Sequence, residues 1–167
     1  YASALNGFTQ MPAAVGLLSV LFLALAAALA VDLLGFRSRV LSALAGAAMA
    51  AFPCLGYTFL YLFTASAYCL AILLAVLSVW LARRGGLWTA AGAAVLALSM
   101  GTYQAYAAVA IGLSLLAVLR EALLPAATLR GTLSLAGRLC ACLLAGALLY
   151  YLILLALIIV ITVISPK

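Results

Sequence analysis

Long apolar runs broken at a few polar points set the pattern of this chain. The run from Leu87 to Leu119 is too long for one membrane helix of ~20 residues and suits two short ones. Its break is Met100-Gly101-Thr102-Tyr103-Gln104-Ala105-Tyr106, where glycine, threonine and glutamine favour a turn. Tyr103 and Tyr106 are expected to share a helix face if the next helix has already begun there. Tyrosine suits the boundary between lipid and water. An interfacial belt and a substrate-contacting tip both stay open at this point.

The remaining runs are read the same way. Tyr1–Met11 is polar, and Pro12 can open a helix in its first turn. A first span is expected over about 12–36. Val40–Ala82 carries no charge and divides into two spans, about 40–57 and 65–82. Their turn is expected near 53–64, where Pro53 and Gly56 weaken the helix and Phe52, Tyr57, Phe59, Tyr61, Phe63 and Tyr68 crowd together. Arg83-Arg84-Gly85-Gly86 is a short basic turn. Spans over 87–101 and 103–119 follow. Arg120–Arg138 is polar enough for a short helix lying on a membrane surface. A last span is expected over 139–164, before Ser165-Pro166-Lys167. The expected fold class is all-α, a polytopic transmembrane helical bundle of about six spans. It forms a single transmembrane domain over 1–167. Because the chain opens on Tyr1 rather than Met, it is expected to be part of a longer protein.

Composition removes the soluble alternative. The chain is 71% hydrophobic and 6% charged, with mean hydropathy +1.44, whereas soluble domains are about 25% charged. The runs are apolar on every side instead of alternating, so they are helices and not barrel strands.

Charge adds sidedness. The net charge is +6, but the bases stand singly or in pairs at helix ends. They therefore mark topology rather than a nucleic-acid partner. If the turns alternate sides, Arg37, Arg39, Arg83, Arg84, Arg120, Arg130 and Arg138 share one face, and only Lys167 falls on the other. The arginine face is then cytoplasmic. Tyr1–Met11 and the 53–64 and 101–106 turns share the outer face. Asp32, near the end of the first span, is expected to reach headgroups or pair with an arginine. Glu121 is expected to be a surface charge.

Candidate chemistry is sparse. The chain has no histidine, no nucleophile set, no phosphate-cradling glycine loop and no metal-ligand spacing. No catalytic residue, metal site or cofactor is expected from it. Cys54, Cys69, Cys140 and Cys142 read as small packing residues, and the side chains of Cys140 and Cys142 would diverge on a helix. Gly46/Ala50, Ala108/Gly112 and Ala141/Ala145 have the spacing of close helix contacts, a weak signal in so alanine-rich a chain.

Two stretches carry a resemblance. One runs from Phe52-Pro53 through Tyr57-Thr58-Phe59-Leu60-Tyr61-Leu62-Phe63-Thr64-Ala65-Ser66-Ala67-Tyr68. The other is Met100-Gly101-Thr102-Tyr103-Gln104-Ala105-Tyr106. In order and spacing they resemble the bacterial O-antigen glucosyltransferases of the serotype-converting kind, over most of residues 12–120. The resemblance implies an integral-membrane glycosyltransferase of the C type in the bacterial inner membrane. Such an enzyme moves a sugar, here glucose, from a polyprenyl-phosphate donor to a lipid-linked glycan at the periplasmic face. It implies acidic catalytic residues on an outer loop upstream of this stretch, and Ser66 stands where the family often has aspartate. With the shared outer face, it marks Tyr57, Tyr61, Thr64, Tyr68, Tyr103, Gln104 and Tyr106 as substrate-binding. Tyrosine rings pack on sugar or lipid while their hydroxyls bond to oxygen, and an amide offers both donor and acceptor. Expected partners are membrane lipid, a polyprenyl-phosphate-linked sugar and a lipid-linked glycan acceptor, with no nucleic acid. The alternatives are a transporter or flippase-like bundle, in which buried polar groups would sit near mid-membrane, and a non-catalytic membrane subunit.

Overall fold

The computed structural model describes residues 12–36, 38–50, 62–125 and 127–164. Every regular element among them is helical: α1 Pro12–Leu34, α2 Arg39–Ala50, α3 Leu62–Arg84, α4 Leu87–Thr102, a 3-10 turn Gln104–Tyr106, α5 Ala107–Ala122 and α6 Leu129–Ile164. Four stretches are long and apolar enough to cross a membrane, Ala13–Leu34, Thr64–Arg84, Gln104–Ala122 and Leu129–Ile164; Arg39–Met49 and Leu87–Thr102 are shorter apolar helices. This is the all-helical bundle of about six apolar segments that the polarity pattern predicts. In lipid a helix satisfies its own backbone groups, which is why such a sequence folds this way.

Helix α3 is the centre. Ala75, Val79 and Ala82 pack with Leu33, Ala93, Leu96, Ala117, Leu139 and Cys142 in one core cluster; Ile72 and Val76 pack with Leu23, Ala26 and Ala30 of α1 in a second. The α3–α4 contact is close because Gly92 has no side chain. A Cβ there would stand 2.7 Å from the Ser78 carbonyl oxygen. Of the small-residue pairs, Ala108 is exposed and Gly112 has nothing near it, and Ala141 and Ala145 face outward. The buried face of α6 is one residue further round, at Leu135, Leu139, Cys142 and Gly146. Cys69 and Cys142 are buried and Cys140 is exposed, so Cys140 and Cys142 diverge and Cys140 does not pack inside. Cys54 lies outside the described residues.

The turns fix the directions. Gly85 (φ 79°) and Gly86 (φ 60°) are both left-handed and reverse the chain within two residues, a conformation that glycine adopts without steric cost. A separate surface helix over 120–138 is not formed. α5 ends at Ala122, Leu124 and Pro125 make a turn, and the Thr128 hydroxyl caps a new helix by accepting the Gly131 N–H at 3.2 Å. That helix starts at Leu129 and runs unbroken past Arg138 to Ile164.

Helices α1, α3 and α5 run one way and α4 and α6 the other. One end of the bundle therefore gathers Asp32, Gly35, Arg83–Gly86, Arg120 and Arg138. The opposite end gathers Tyr68, Thr102–Tyr106 and Tyr150. Residues 1–11, the 51–61 stretch, Arg37 and Lys167 lie outside the described residues, and with them the expected 53–64 turn in its larger part.

Candidate functional site

The tyrosine end is built from a helix that stops abruptly. The Thr102 hydroxyl donates to the Leu98 carbonyl at 3.1 Å, turning inward on its own helix. Tyr103 is extended (φ −159°, ψ 113°), and its N–H still donates to Ser99 O at 3.0 Å. Tyr106 N–H then closes on Tyr103 O at 3.3 Å. Tyr103 thus precedes the next helix instead of sharing its face with Tyr106. The tight turn nevertheless folds the two rings together, with centroids 5.3 Å apart.

Tyr68, in the early turns of α3, completes a cluster. Its ring lies 5.0 Å from that of Tyr103 and 6.4 Å from that of Tyr106, tilted in the first case and edge-on in the second. Such pairs are each worth about 0.5–1.5 kcal/mol beyond simple burial. Tyr103 stays 46% exposed, so one side of the cluster is free for contact. Gln104 points elsewhere: its amide nitrogen donates to the Tyr150 hydroxyl of α6. Thr64 is half-buried in the first turns of α3. Tyr57 and Tyr61 lie outside the described residues. The structure thus joins Tyr68, Tyr103 and Tyr106 directly, and adds Tyr150, which sequence reading missed. Its one signal was a Tyr150-Tyr151 pair in an otherwise apolar helix.

Beside Gln104 and Tyr150 a groove of about 590 Å³ runs between α4 and α6. Ala97, Leu98, Gly101, Leu149, Ile153 and Leu157 give it an apolar lining, and Thr102 and Tyr150 are the polar residues within it. Leu98, Ile153 and Leu157 are exposed, so the groove is on the outside of the bundle.

The arginine end is different in kind. Asp32 accepts a hydrogen bond from the Trp80 indole at 2.8 Å; of the two expectations for it, headgroup contact or an arginine, no arginine pair is found among the described residues. Arg83 donates to Leu33 O at 2.9 Å, Arg120 to Gly35 O at 3.3 Å and Arg138 to Arg83 O at 3.4 Å. Each guanidinium meets the carbonyls left open where a neighbouring helix ends. Trp80 is twelve residues along α3 from Tyr68, and Arg138 is twelve from Tyr150 along α6; both helices place the two ends ~18 Å apart. Glu121, half-buried in the last turn of α5, belongs to the arginine end. Neither acidic side chain is near the tyrosines.

Between the ends, four buried serines are hydrogen-bonded to backbone carbonyls. Ser19, Ser78 and Ser114 each donate to a carbonyl of their own helix at 2.7 Å, and Ser99 donates across to Ala71 O at 2.7 Å. Among the described residues no three His, Cys, Asp or Glu side chains gather as metal ligands.

The family model of the glucosyl transferase GtrII matches residues 3–165, nearly the whole chain. The chain belongs to the GtrII glucosyl transferase family. No curated protein and no solved structure matches it. The GtrII match covers both stretches that carry the sequence resemblance, the tyrosine turn included. It also agrees with the apolar helices in marking a membrane glucosyltransferase family.

Proposed function

We propose that this chain forms part of a glucosyltransferase of the bacterial inner membrane. It would help to move glucose from a polyprenyl-phosphate donor to a lipid-linked O-antigen or similar glycan at the periplasmic face. The observation that carries the reading is the polar part of the α4–α6 groove, where Tyr150 meets Gln104 close to the turn that holds the Tyr68–Tyr103–Tyr106 cluster. A donor of this class has a long apolar chain and a polar sugar phosphate. An apolar trough that includes two hydroxyls, with an amide and aromatic rings close by, offers surfaces for both parts.

The roles divide by chemistry. Tyr103 and Tyr68 offer ring faces to a sugar. Gln104 keeps its amide oxygen as an acceptor for a sugar hydroxyl while its nitrogen holds Tyr150. Thr64 lies on the same end of α3, and Tyr57 and Tyr61 join the proposal on resemblance alone. The proton transfer of the reaction needs a group that this end does not supply, since Asp32 and Glu121 are ~18–22 Å away at the other rim. In this reading the acid and base come from the outer loop that the resemblance places upstream.

The geometry also bears on depth. With the arginines at the inner headgroup level, the tyrosine turn lies ~18–24 Å above them, short of the ~30 Å hydrocarbon core. α6 runs on past Tyr150 for ~21 Å more. The tyrosines then sit in a recess beside α6 rather than as a belt at the outer surface. The test is transfer in membranes that carry the whole enzyme. Gln104→Ala and Tyr103→Phe should each lower glucosyl transfer at unchanged expression. Normal transfer in both variants would remove this end of the bundle from the site.

A further inference from the structure

The arginine end is rich in positive charge, with Arg83, Arg84, Arg120 and Arg138 against Asp32 and Glu121. Arg83 and Arg84 lead into the Gly85–Gly86 turn, and Arg138 reaches it from α6. Arg83 is held on Leu33 O, and Arg138 reaches from α6 to Arg83 O. Arg138 Nη1 lies 2.6 Å from where a Cβ on Gly85 would stand. Arg84 is exposed, with its guanidinium carbon 3.7 Å from the Trp80 ring centroid and 5.7 Å from that of Trp88. The Trp80 indole is itself fixed by its bond to Asp32. The chain has two acidic side chains, Asp32 and Glu121, and among the described residues neither forms a direct ion pair with Arg83, Arg84 or Arg138.

We propose that Arg84, at the start of this turn, binds the phosphate of an anionic glycerophospholipid. A guanidinium presents several donors in a fixed fork that matches phosphate, and stacking on Trp80 orients the fork of Arg84 in advance. Basic groups at the cytoplasmic membrane surface attract anionic headgroups. A lipid fits better than a soluble anion because the same turn exposes apolar surface: Leu87 is 86% and Trp88 50% exposed beside the charge. The acyl chains would cover that surface, and tryptophan is at home at headgroup depth. This site is independent of the glucosyl-transfer reading, which concerns the other end of the bundle.

Native mass spectrometry of the whole chain, released from discs of mixed phosphatidylglycerol and phosphatidylcholine, tests it. Phosphatidylglycerol should be retained in preference. Arg84→Ala should cut that retention roughly fivefold, and Arg84→Lys should restore only part of it. Arg39→Ala, which removes an exposed arginine from the start of α2, should change it little. Equal loss in Arg39→Ala and Arg84→Ala would mean a diffuse basic rim and overturn the site. So would equal retention of phosphatidylcholine, or displacement of the lipid by millimolar inorganic phosphate.

Discussion

The two ends of the bundle use polar side chains in opposite ways. At the arginine end, Arg83, Arg120 and Arg138 each reach a carbonyl of another segment, and Trp80 holds Asp32. These contacts join α1, α3, α5 and α6. At the tyrosine end the rings of Tyr68, Tyr103 and Tyr106 meet one another, and Gln104 meets Tyr150. There Tyr103 and Gln104 remain exposed. Donors fixed on backbone carbonyls hold helices in register. Rings and amides with a free side can also receive a ligand. Position along the same helices therefore separates polar groups held on backbone carbonyls from side chains that keep an exposed face.

The sharpest way to break this comparison is to disturb what connects the ends. Gly92→Val puts a branched side chain against the Ser78 carbonyl, where a Cβ alone would stand 2.7 Å away. Backbone cannot give way as a flexible side chain can. Overpacking of this kind costs about 1–3 kcal/mol, and the backbone contact puts this case at the upper end. Thermal unfolding in detergent should show the largest loss of the series. An unchanged midpoint would mean that α3 and α4 do not pack as described.

A smaller effect should separate the two ends. Arg83→Met keeps an apolar stem of similar reach but removes the donor to Leu33 O. Hydrogen bonds with a charged partner contribute about 1.5–3 kcal/mol, and the half-buried position of Arg83 argues for the lower figure. Stability should fall by about 1.5 kcal/mol, while glucosyl transfer per folded molecule stays the same. A specific loss of transfer would show that the arginine end is not merely structural.

How much of this was legible follows from the physics of each feature. The helices were legible because lipid leaves few other solutions for uninterrupted apolar runs. The break at 101–106 was legible because Gly101, Thr102 and Gln104 interrupt such a run, and the Arg83–Gly86 turn because consecutive glycines follow paired arginines. Contacts between distant segments were not. Nothing local to Asp32 indicates Trp80, and nothing local to Gln104 indicates Tyr150. Those pairs depend on which helices adjoin and at what height. The start of α6 was misjudged for a related reason. Arg130 and Arg138 look like a surface segment in sequence, but Thr128 caps a helix there and Arg138 finds the end of α3.

The smallest expected change in stability belongs to Tyr150→Phe, and it tests the tyrosine end most directly. The substitution keeps the ring that lines the groove and removes only the hydroxyl that accepts from Gln104. A neutral hydrogen bond contributes about 0.5–1.5 kcal/mol, and exposure of Gln104 to competing partners places this one at the bottom of that range. The unfolding midpoint should therefore scarcely move. Transfer should fall nonetheless, because Gln104 loses the contact that orients it, and an unheld amide must be ordered again when substrate binds. Tyr151→Phe is the matched control. Tyr151 is the adjacent tyrosine, 60% exposed, and does not line the groove. A fall in transfer for Tyr150→Phe alone would mark Gln104 as a group oriented for a ligand. Equal transfer in the two variants would leave the Gln104–Tyr150 bond as a tie between α6 and the turn, and would make the tyrosine end resemble the arginine end after all.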